Sequence, residues 1–449
     1  MKILLLTNLY PPHHAGTYDF RCQTVTDRLR KRGHEVRVLT SNHGISTEQR
    51  DPEVERRLLL QGVFGHPPVA GLREILRFER HNHQVWRESV TEYQPDLVYA
   101  WSLDGLPKSF VFGLRQLRRP VVYDVADYWL ARGVREDPWL GWWNRPKAPF
   151  LHRVLRAGLE IAGYRTHWDA AMPTRTTTVC RRMPEVFAEH PTPAGLPPGA
   201  GNPFVFDRIY FCSRTLKQFT AQSNFRVDHA EVIYPGIMTQ AFFGEIKPLA
   251  APVQKFLIVS PLHPASGVMT AIEAIRHART CSVRASLSVY GSGESDYIAK
   301  LRSFVVQNQL PIEFLPVANM GQDLPAIYRR HDAFIYSAEQ DEFFLQRPLE
   351  AMACGLPVIA AQTACACEVL HHAENAFGYT PGNALELLAR IQELQQQPKL
   401  RLAMAETAQA EVCSQFSETN AIDKTEDYLE TSRQLWLTSE NSPSPGSAA

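Results

Sequence analysis

Two glutamates at a fixed spacing are the residues most able to do chemistry. The segment DEFFLQRPLEAMACGLPVIAA, residues 341–361, contains Glu342 and Glu350. Its pattern predicts a helix over LEAMACG and a buried strand over PVIAA. A carboxylate beside a helix can accept hydrogen bonds from two neighbouring hydroxyl groups of a ligand, because it has two acceptor oxygens. Structural explanations also exist, with Glu350 as an acid in the first turn of a helix and Glu342 as a solvated loop residue.

Other residues near predicted strand ends could bind a ligand. Arg347 lies between the two glutamates and adds a positive charge to this segment. Gly291 and Gly293 form a G-x-G turn after a predicted strand, and Gly16 follows the first strand, where a backbone could approach a ligand closely. A G-x-G alone is a weak signal, and a tight turn explains these glycines as well.

A third group of candidates lies in the amino-terminal half. Asp127 and Trp129, in DVADYW, follow a predicted strand and could contact a ligand, although a packed tryptophan is the favoured interpretation. Trp139, Trp142 and Trp143 are candidates for exposure, either in a groove or at a membrane surface. The basic residues nearby are Arg145, Lys147, Arg153 and Arg156. A helical hairpin packed over the sheet edge is the preferred alternative.

Composition excludes several classes of protein. The chain has 449 residues, of which 44% are hydrophobic and 21% charged, so it suits two globular domains. A formal net charge of +0 gives no overall attraction to nucleic acid, and no such partner is expected. The apolar run Ile3–Leu6 is too short for a signal peptide or a membrane span, which favours a cytoplasmic protein. The close pair Cys365–Cys367 lacks a second pair of cysteines, so no metal site is predicted. No cofactor is predicted either.

Alternating strands and helices must position these residues. MKILLLTNLYPP predicts a strand, and an amphipathic helix that stops at Gly33 and a second strand follow it. A second series of the same kind begins near Lys255. The pattern indicates an α/β protein with two doubly wound Rossmann-like domains that face a cleft. The predicted segments are 1–245 and 246–415 for the domains, 416–437 for a helix and 438–449 for a disordered tail.

These motifs together resemble those of the family 4 glycosyltransferases, which have the GT-B fold. The resemblance covers nearly the whole chain. PGIMTQAF is similar to a linker of that family, and YGSGESDYIAKL is similar to one of its turns. The most specific part is Glu342-x7-Glu350, followed by the rest of EAMACGLPVIA.

The resemblance implies transfer of a sugar from a nucleotide diphosphate sugar to an acceptor, with retention of configuration and without a catalytic metal. Residues 1–245 would bind the acceptor, which is a saccharide, a lipid or a small molecule, and residues 246–415 the donor. Glu342 would be the catalytic residue. The implied donor-binding residues are Glu350, Gly16, Gly291, Gly293 and Arg347, and the acceptor-side candidates are Asp127 and Trp129. Peripheral contact with the inner membrane face stays an open alternative.

Several positions depart from the pattern of the family. Ala126 stands where a histidine is common, and Leu345 where a glycine is common. Pro261 and Ser266 replace the arginine and lysine that hold the diphosphate. Each lost charge-assisted hydrogen bond is worth about 1.5–3 kcal/mol. Candidate replacement cations are Arg347, His263, Lys217, Arg214 and Arg329. Three hypotheses follow: an active transferase with a rebuilt donor site, a non-catalytic partner or scaffold, and another GT-B enzyme such as a sugar epimerase.

Overall fold

Two compact units make up the chain. The computed structural model describes all residues except 15, 45–50, 70, 116, 118, 140–141, 143–149, 162–205, 207, 224, 226, 316–323 and 442–449. The first unit comprises Met1–Cys212, Leu216–Ile233 and Lys424–Ala449, and the second comprises Ser213–Thr215 and Tyr234–Asp423. The domain limits inferred from the sequence stay a prediction.

A parallel sheet forms the centre of the first unit. Its strands are β1 (Lys2–Leu6), β2 (Glu35–Ser41), β3 (Val54–Leu58), β4 (Leu97–Ala100), β5 (Val121–Val125), β6 (Ile209–Phe211) and β7 (Glu231–Val232). Their order is β3-β2-β1-β4-β5-β6-β7, and every neighbouring pair is parallel. Ile3, Leu4, Leu5 and Leu6 are all buried, as expected for a strand covered on both faces.

Helices connect these strands. The described helices up to residue 222 are α1 (Thr17–Lys31), α2 (Leu72–Tyr93), α3 (Phe110–Arg115), α4 (Gly133–Glu136), α5 (Phe150–Ile161) and α6 (Arg214–Gln222). Helix α1 buries Cys22, Val25 and Leu29 on one side, in keeping with a spacing of three to four residues. The chain turns after α1 at Gly33, whose φ of +89° favours glycine.

The second unit contains its own parallel sheet. Its strands are β8 (Lys255–Val259), β9 (Ser286–Tyr290), β10 (Ile312–Leu315), β11 (Ala333–Tyr336), β12 (Val358–Ala361) and β13 (Phe377–Tyr379), in the order β10-β9-β8-β11-β12-β13. Its helices are α7 (Thr239–Phe242), α8 (Val268–Thr280), α9 (Ser295–Gln307), α10 (Leu324–Arg329), α11 (Gln346–Ala353), α12 (Ala384–Gln396) and α13 (Pro398–Gln415), with 3₁₀ turns at Pro264–Ser266 and Ala366–Glu368. The last helix, α14 (Glu418–Asn441), contains residues of both units.

Apolar side chains cover both faces of the second sheet. In strand β12, Val358 and Ala360 belong to one buried cluster, whereas Ile359 and Ala361 belong to another. Successive side chains of a strand point to opposite faces, so each cluster covers one face. The unbroken apolar run that predicted a parallel strand therefore has a physical cause.

Trp139 is one of the tryptophans for which the sequence left exposure and packing open. Its side chain is completely buried, so it is not one of the exposed candidates. Its ring stacks on that of Trp142, with centroids 5.7 Å apart, because stacking removes both indoles from water. Trp143, Arg145 and Lys147 lie outside the described residues. Among the helices that are described, none is long and apolar enough to cross a membrane.

Candidate active site

Glu350 lies in the second turn of a short helix. The sequence placed it at a helix start, but α11 begins one turn earlier, at Gln346. Pro348 is compatible with this earlier start, because a proline in the first turn removes an N–H group that has no partner in the helix. Glu350 is therefore buried, with 1% of its surface exposed, and an acid in the first turn does not explain it.

The Glu350 carboxylate accepts hydrogen bonds from three side chains. Arg347 Nη1 lies 3.1 Å from Oε1 and 2.9 Å from Oε2. Gln346 Nε2 donates to Oε1 at 2.8 Å, and the Tyr328 hydroxyl donates to Oε2 at 2.9 Å. Burial raises the pKa of Glu350, and these donors act in the opposite direction because they stabilise the ionised form. The carboxylate is thus held as part of a polar cluster inside the second unit.

Glu342 lies in the loop between β11 and α11. Burial raises the pKa of its carboxyl to about 7, while the Tyr336 hydroxyl and the Arg347 guanidinium lower it to a smaller extent. A carboxyl group with such a pKa can be neutral or ionised near neutral pH, and perturbed groups of this kind are common at active sites. Arg347 therefore acts electrostatically on both of the glutamates that the sequence singled out.

The other acids of this region have structural partners. Glu339 Oε1 accepts a hydrogen bond from Thr270 Oγ1 at 2.6 Å, and Asp341 Oδ1 accepts one from the Cys365 N–H at 2.8 Å. Glu368 accepts hydrogen bonds from the Arg214 N–H at 2.8 Å and from the Tyr234 hydroxyl at 2.8 Å. These carboxylates hold loops together.

Close packing explains the two glycines of the G-x-G turn. A Cβ atom added to Gly291 would lie 1.9 Å from the Ser260 carbonyl oxygen, and one added to Gly293 would lie 2.0 Å from the Leu262 carbonyl oxygen. The Leu262 N–H donates to the Ser292 carbonyl at 2.9 Å, so the two loops are joined directly. A role of Gly291 and Gly293 in donor binding stays a prediction.

Gly16 has a different environment. Its φ of −178° is open to any residue, and a Cβ atom built on it meets nothing within 4 Å. Its N–H donates to Asp19 Oδ2 at 3.3 Å. The fold of the first unit therefore does not require glycine here, and an approach by a ligand stays a prediction.

Most of the candidate replacement cations are already bound. Lys217 Nζ donates to the carbonyl oxygens of Asp228 and Ala230, and Arg329 Nη2 to those of Ala241 and Phe243. These two side chains hold backbone turns. The side chains of His263 and Arg214 have no polar partner within the described parts of the chain.

Leu345 does not fill the space beside the glutamates. Its side chain is buried in the cluster that also contains Tyr336, Leu349 and Met352. Its φ of −80° is ordinary for a residue with a Cβ atom. The bulk that the sequence suggested for this position thus points into the core.

Asp127 and Trp129 are built into the first unit. Asp127 accepts hydrogen bonds from Ser102 Oγ at 2.8 Å and from the Trp129 N–H at 2.7 Å, and burial raises its pKa to about 6. Trp129 is buried, with 2% of its surface exposed. The packed tryptophan favoured by the sequence agrees with this burial, and a role at an acceptor stays a prediction.

A second polar cluster in the first unit was missed by the sequence analysis. Arg21 Nη2 donates to Asp124 Oδ1 at 2.5 Å, and the Tyr210 hydroxyl donates to Asp124 Oδ2 at 2.6 Å. The Arg21 guanidinium also lies over the Trp101 ring, 4.5 Å from its centroid. Arg21 and Asp124 are distant in sequence, so no local pattern could pair them, although an arginine on the buried side of α1 is a partial signal.

One group of side chains could hold a metal ion among the described residues. It consists of His34, Glu426 and Glu430, and it lies in the first unit. Arg32 already pairs with Glu426, and the Met1 ammonium group lies 3.2 Å from His34 Nδ1. An ion-pair network that anchors α14 explains this group without an ion. It is separate in sequence from the Glu342–Glu350 segment.

Most of the second unit is similar to a known protein family. Residues 245–411 match the model for group 1 glycosyl transferases. This match includes both Glu342 and Glu350, and it supports a transferase enzyme. No curated protein matches the sequence.

Solved structures of known proteins share the fold of this chain. HepE from Anabaena, in complex with UDP and glucose, is 19% identical, covers 96% of this chain and 100% of its own, and has a TM-score of 0.60. Sucrose-phosphate synthase from Thermosynechococcus elongatus is 15% identical in sequence. The match covers 97% of this chain and 99% of the synthase chain, with a TM-score of 0.64. A glycosyltransferase from Rickettsia africae is also 15% identical. The match covers 98% of this chain and 99% of the Rickettsia chain, with a TM-score of 0.64. The GT-B fold class is confirmed.

Proposed function

We propose that this protein is a glycosyltransferase that moves a sugar from a nucleotide diphosphate sugar to an acceptor. The observation behind the proposal is the Glu342–Arg347–Glu350 group within the segment that matches the group 1 model. An arginine suits a diphosphate because it is permanently charged and donates in a planar fork. A carboxylate suits the ribose because it offers two acceptor oxygens to two hydroxyls.

The proposed reaction retains configuration and needs no catalytic metal. Glu342 would lie beside the transferred sugar, where a carboxylate stabilises positive charge on the reacting carbon. Arg347 would stabilise the leaving diphosphate through charge-assisted hydrogen bonds.

A panel of nucleotides tests the donor site. The full chain is titrated with UDP, GDP, CDP and ADP while its melting temperature is followed, and inorganic pyrophosphate shows how much of any shift needs no base. A ligand at a hundred times its Kd stabilises the folded state by about 2.7 kcal/mol, so a shift of several degrees is expected for one base. No shift with any nucleotide at millimolar concentration would contradict the proposal and would favour a scaffold.

A turnover experiment separates a transferase from other enzymes of this fold. The sugar nucleotide of the selected base is incubated with the protein, and proton NMR follows the anomer that hydrolysis releases first. A retaining transferase should release the donor's own anomer, EDTA should not change the rate, and Glu342→Gln should abolish it. Release of an epimerised sugar would instead identify an epimerase.

We also propose that α5 contacts an anionic membrane surface. Phe150, Leu151, Val154 and Leu155 are 80%, 67%, 51% and 42% exposed, and their spacing places them on adjoining rows of the helix. Arg153 is exposed on the same helix and complements the charge of anionic headgroups. The four side chains expose roughly 400 Å², which is about half of what each partner of a stable protein complex needs, so a lipid surface fits better.

Vesicle binding tests this contact. Sedimentation with phosphatidylglycerol vesicles should exceed that with phosphatidylcholine vesicles, and Leu151→Asp should reduce it about tenfold or more. Val306→Asp is the matched control, because Val306 is 75% exposed on helix α9 of the second unit. Equal sedimentation of Leu151→Asp and the native protein would contradict the contact. A dimer that Leu151→Asp dissociates would identify a second copy as the partner instead.

A further inference from the structure

The Glu350 carboxylate has no acceptor position left for a ligand. A carboxylate offers about four lone-pair positions, two on each oxygen. Oε1 accepts from Gln346 and Arg347, and Oε2 accepts from Tyr328 and Arg347. A ribose diol can therefore reach Glu350 only if one of these donors leaves.

Arg347 is the one charged donor of these three, and it is able to leave for another anion. Tyr328 is completely buried, whereas 23% of the Arg347 side chain is exposed to solvent. Arg347 and Glu350 are three positions apart on the same helix, so a change of the Arg347 rotamer separates them without moving the backbone. Within the described residues only Nη1 of the guanidinium donates a hydrogen bond, so Nη2 and Nε can bind another anion.

We propose that Arg347 changes partners when a nucleoside diphosphate binds, leaving Glu350 for the diphosphate and so exposing Glu350 to the ribose hydroxyls. This inference rests on the proposed function. The anion that draws Arg347 away is part of the same ligand whose hydroxyls take its place on Glu350. A diphosphate has more negative charge than one carboxylate and offers the bidentate geometry that guanidinium favours.

The exchange makes recognition cooperative. A nucleoside without phosphate must break the Arg347–Glu350 ion pair and gives Arg347 no new partner. Pyrophosphate gives Arg347 a new partner but leaves the Glu350 carboxylate without its cation. A nucleoside diphosphate satisfies both groups at once. The free protein should therefore discriminate against nucleosides more strongly than the loss of phosphate contacts alone requires.

The coupling can be measured in the native protein. Uridine binding, or binding of the nucleoside that the panel selects, is measured by calorimetry with and without saturating inorganic pyrophosphate. Pyrophosphate should tighten nucleoside binding about tenfold, because it has already drawn Arg347 away from Glu350. The reciprocal titration should give the same factor, since coupling between two sites is symmetric.

Arg347→Met tests which residue couples the two ligands. The variant removes the cation and keeps the length of the side chain. Nucleoside affinity should rise about tenfold, UDP affinity should fall about tenfold or more, and the effect of pyrophosphate on nucleoside binding should vanish. Arg347→Lys keeps a cation and should retain most of the UDP affinity. Arg330→Met is the matched control, because Arg330 is exposed in the same unit.

The outcomes separate two kinds of failure. If nucleoside and UDP affinities fall in parallel in Arg347→Met, or if pyrophosphate does not change nucleoside binding in the native protein, the exchange is wrong while the proposed function stands. If no nucleotide binds to the native protein, the proposed function is wrong and the exchange falls with it. Opposite changes in nucleoside and UDP affinity support the exchange.

Discussion

Each unit contains a buried arginine–carboxylate pair, and the two pairs are built differently. Asp124 is fully buried, and its partner Arg21 is 13% exposed and lies over the Trp101 ring. Glu350 is as deeply buried as Asp124, but its partner Arg347 is 23% exposed and comes from the same short helix. The first pair joins distant parts of the chain, whereas the second can open by a rotation of one side chain.

Each pair also has a neighbouring acid with a raised pKa. Burial raises the pKa of Asp127 to about 6 and that of Glu342 to about 7. Asp127 is fixed by Ser102 and by the Trp129 N–H, so its oxygens already shape the loop after β5. Glu342 has no such backbone donor among the described residues. Similar chemical groups are therefore held differently in the two units, and the second unit leaves Glu342 without a backbone donor among the residues that the structure describes.

The largest expected effect comes from breaking the two ion pairs. Arg21→Met leaves the Asp124 charge buried without its cation and should lower the free energy of unfolding by about 3–5 kcal/mol. Arg347→Met should cost about 1–2 kcal/mol, because Glu350 keeps Tyr328 and Gln346 as donors and water can reach the site. Urea unfolding of each variant measures both losses. Equal losses would show that the Arg347 pair is as structural as the Arg21 pair.

The sequence predicted local features well and long-range pairings poorly. The order of strands and helices around β1, α1 and β2 follows from hydrophobic spacing, and the structure confirms it. The pairing of Arg21 with Asp124 depends on which strands are neighbours, and no local pattern contains that information. Strand β3, Val54–Leu58, was also missed, because three charged residues interrupt its apolar pattern.

The candidate site was predictable in its members but not in their contacts. The spacing of Glu342 and Glu350 indicated a shared site, and Arg347 was noticed between them. The Glu350 carboxylate has no free acceptor position partly because the Tyr328 hydroxyl donates to it. Tyr328 lies in helix α10, and no sequence motif marks it. The burial of Leu345 likewise depends on where the loop enters the core. The sequence left exposure and packing of Trp139 open, because clustered aromatic residues are typical both of an exposed binding surface and of a packed hairpin.

A smaller effect is expected from removing the charge of Glu342. A carboxyl whose pKa is raised from 4.5 to about 7 on folding binds its proton more tightly in the folded state. Stability from this group is therefore fully present below pH 4.5 and is lost as the pH rises to about 7. Glu342→Gln cannot ionise, so it should be more stable than the native protein at pH 8 by at most about 3 kcal/mol.

Unfolding curves at several pH values measure this gain, and Asp127→Asn is the matched variant in the first unit. Its gain should be smaller, because the introduced amide keeps only one of the two acceptor oxygens that Ser102 and the Trp129 N–H now use. A Glu342→Gln protein whose stability follows the same pH curve as the native protein would show that Glu342 is already ionised in the fold at pH 5.

The smallest expected effect distinguishes the glycines of the two units. Gly291→Ala forces a Cβ atom against the Ser260 carbonyl oxygen and should cost about 1–3 kcal/mol through strain in two joined loops. Gly16→Ala meets nothing within 4 Å and has an extended backbone, so its stability should change by less than about 0.5 kcal/mol.

If the backbone at Gly16 approaches a substrate, Gly16→Ala should nevertheless reduce turnover, since the methyl group occupies the space of the ligand. Loss of turnover with unchanged stability would assign Gly16 to substrate binding, whereas native turnover would reduce it to an ordinary turn residue before α1.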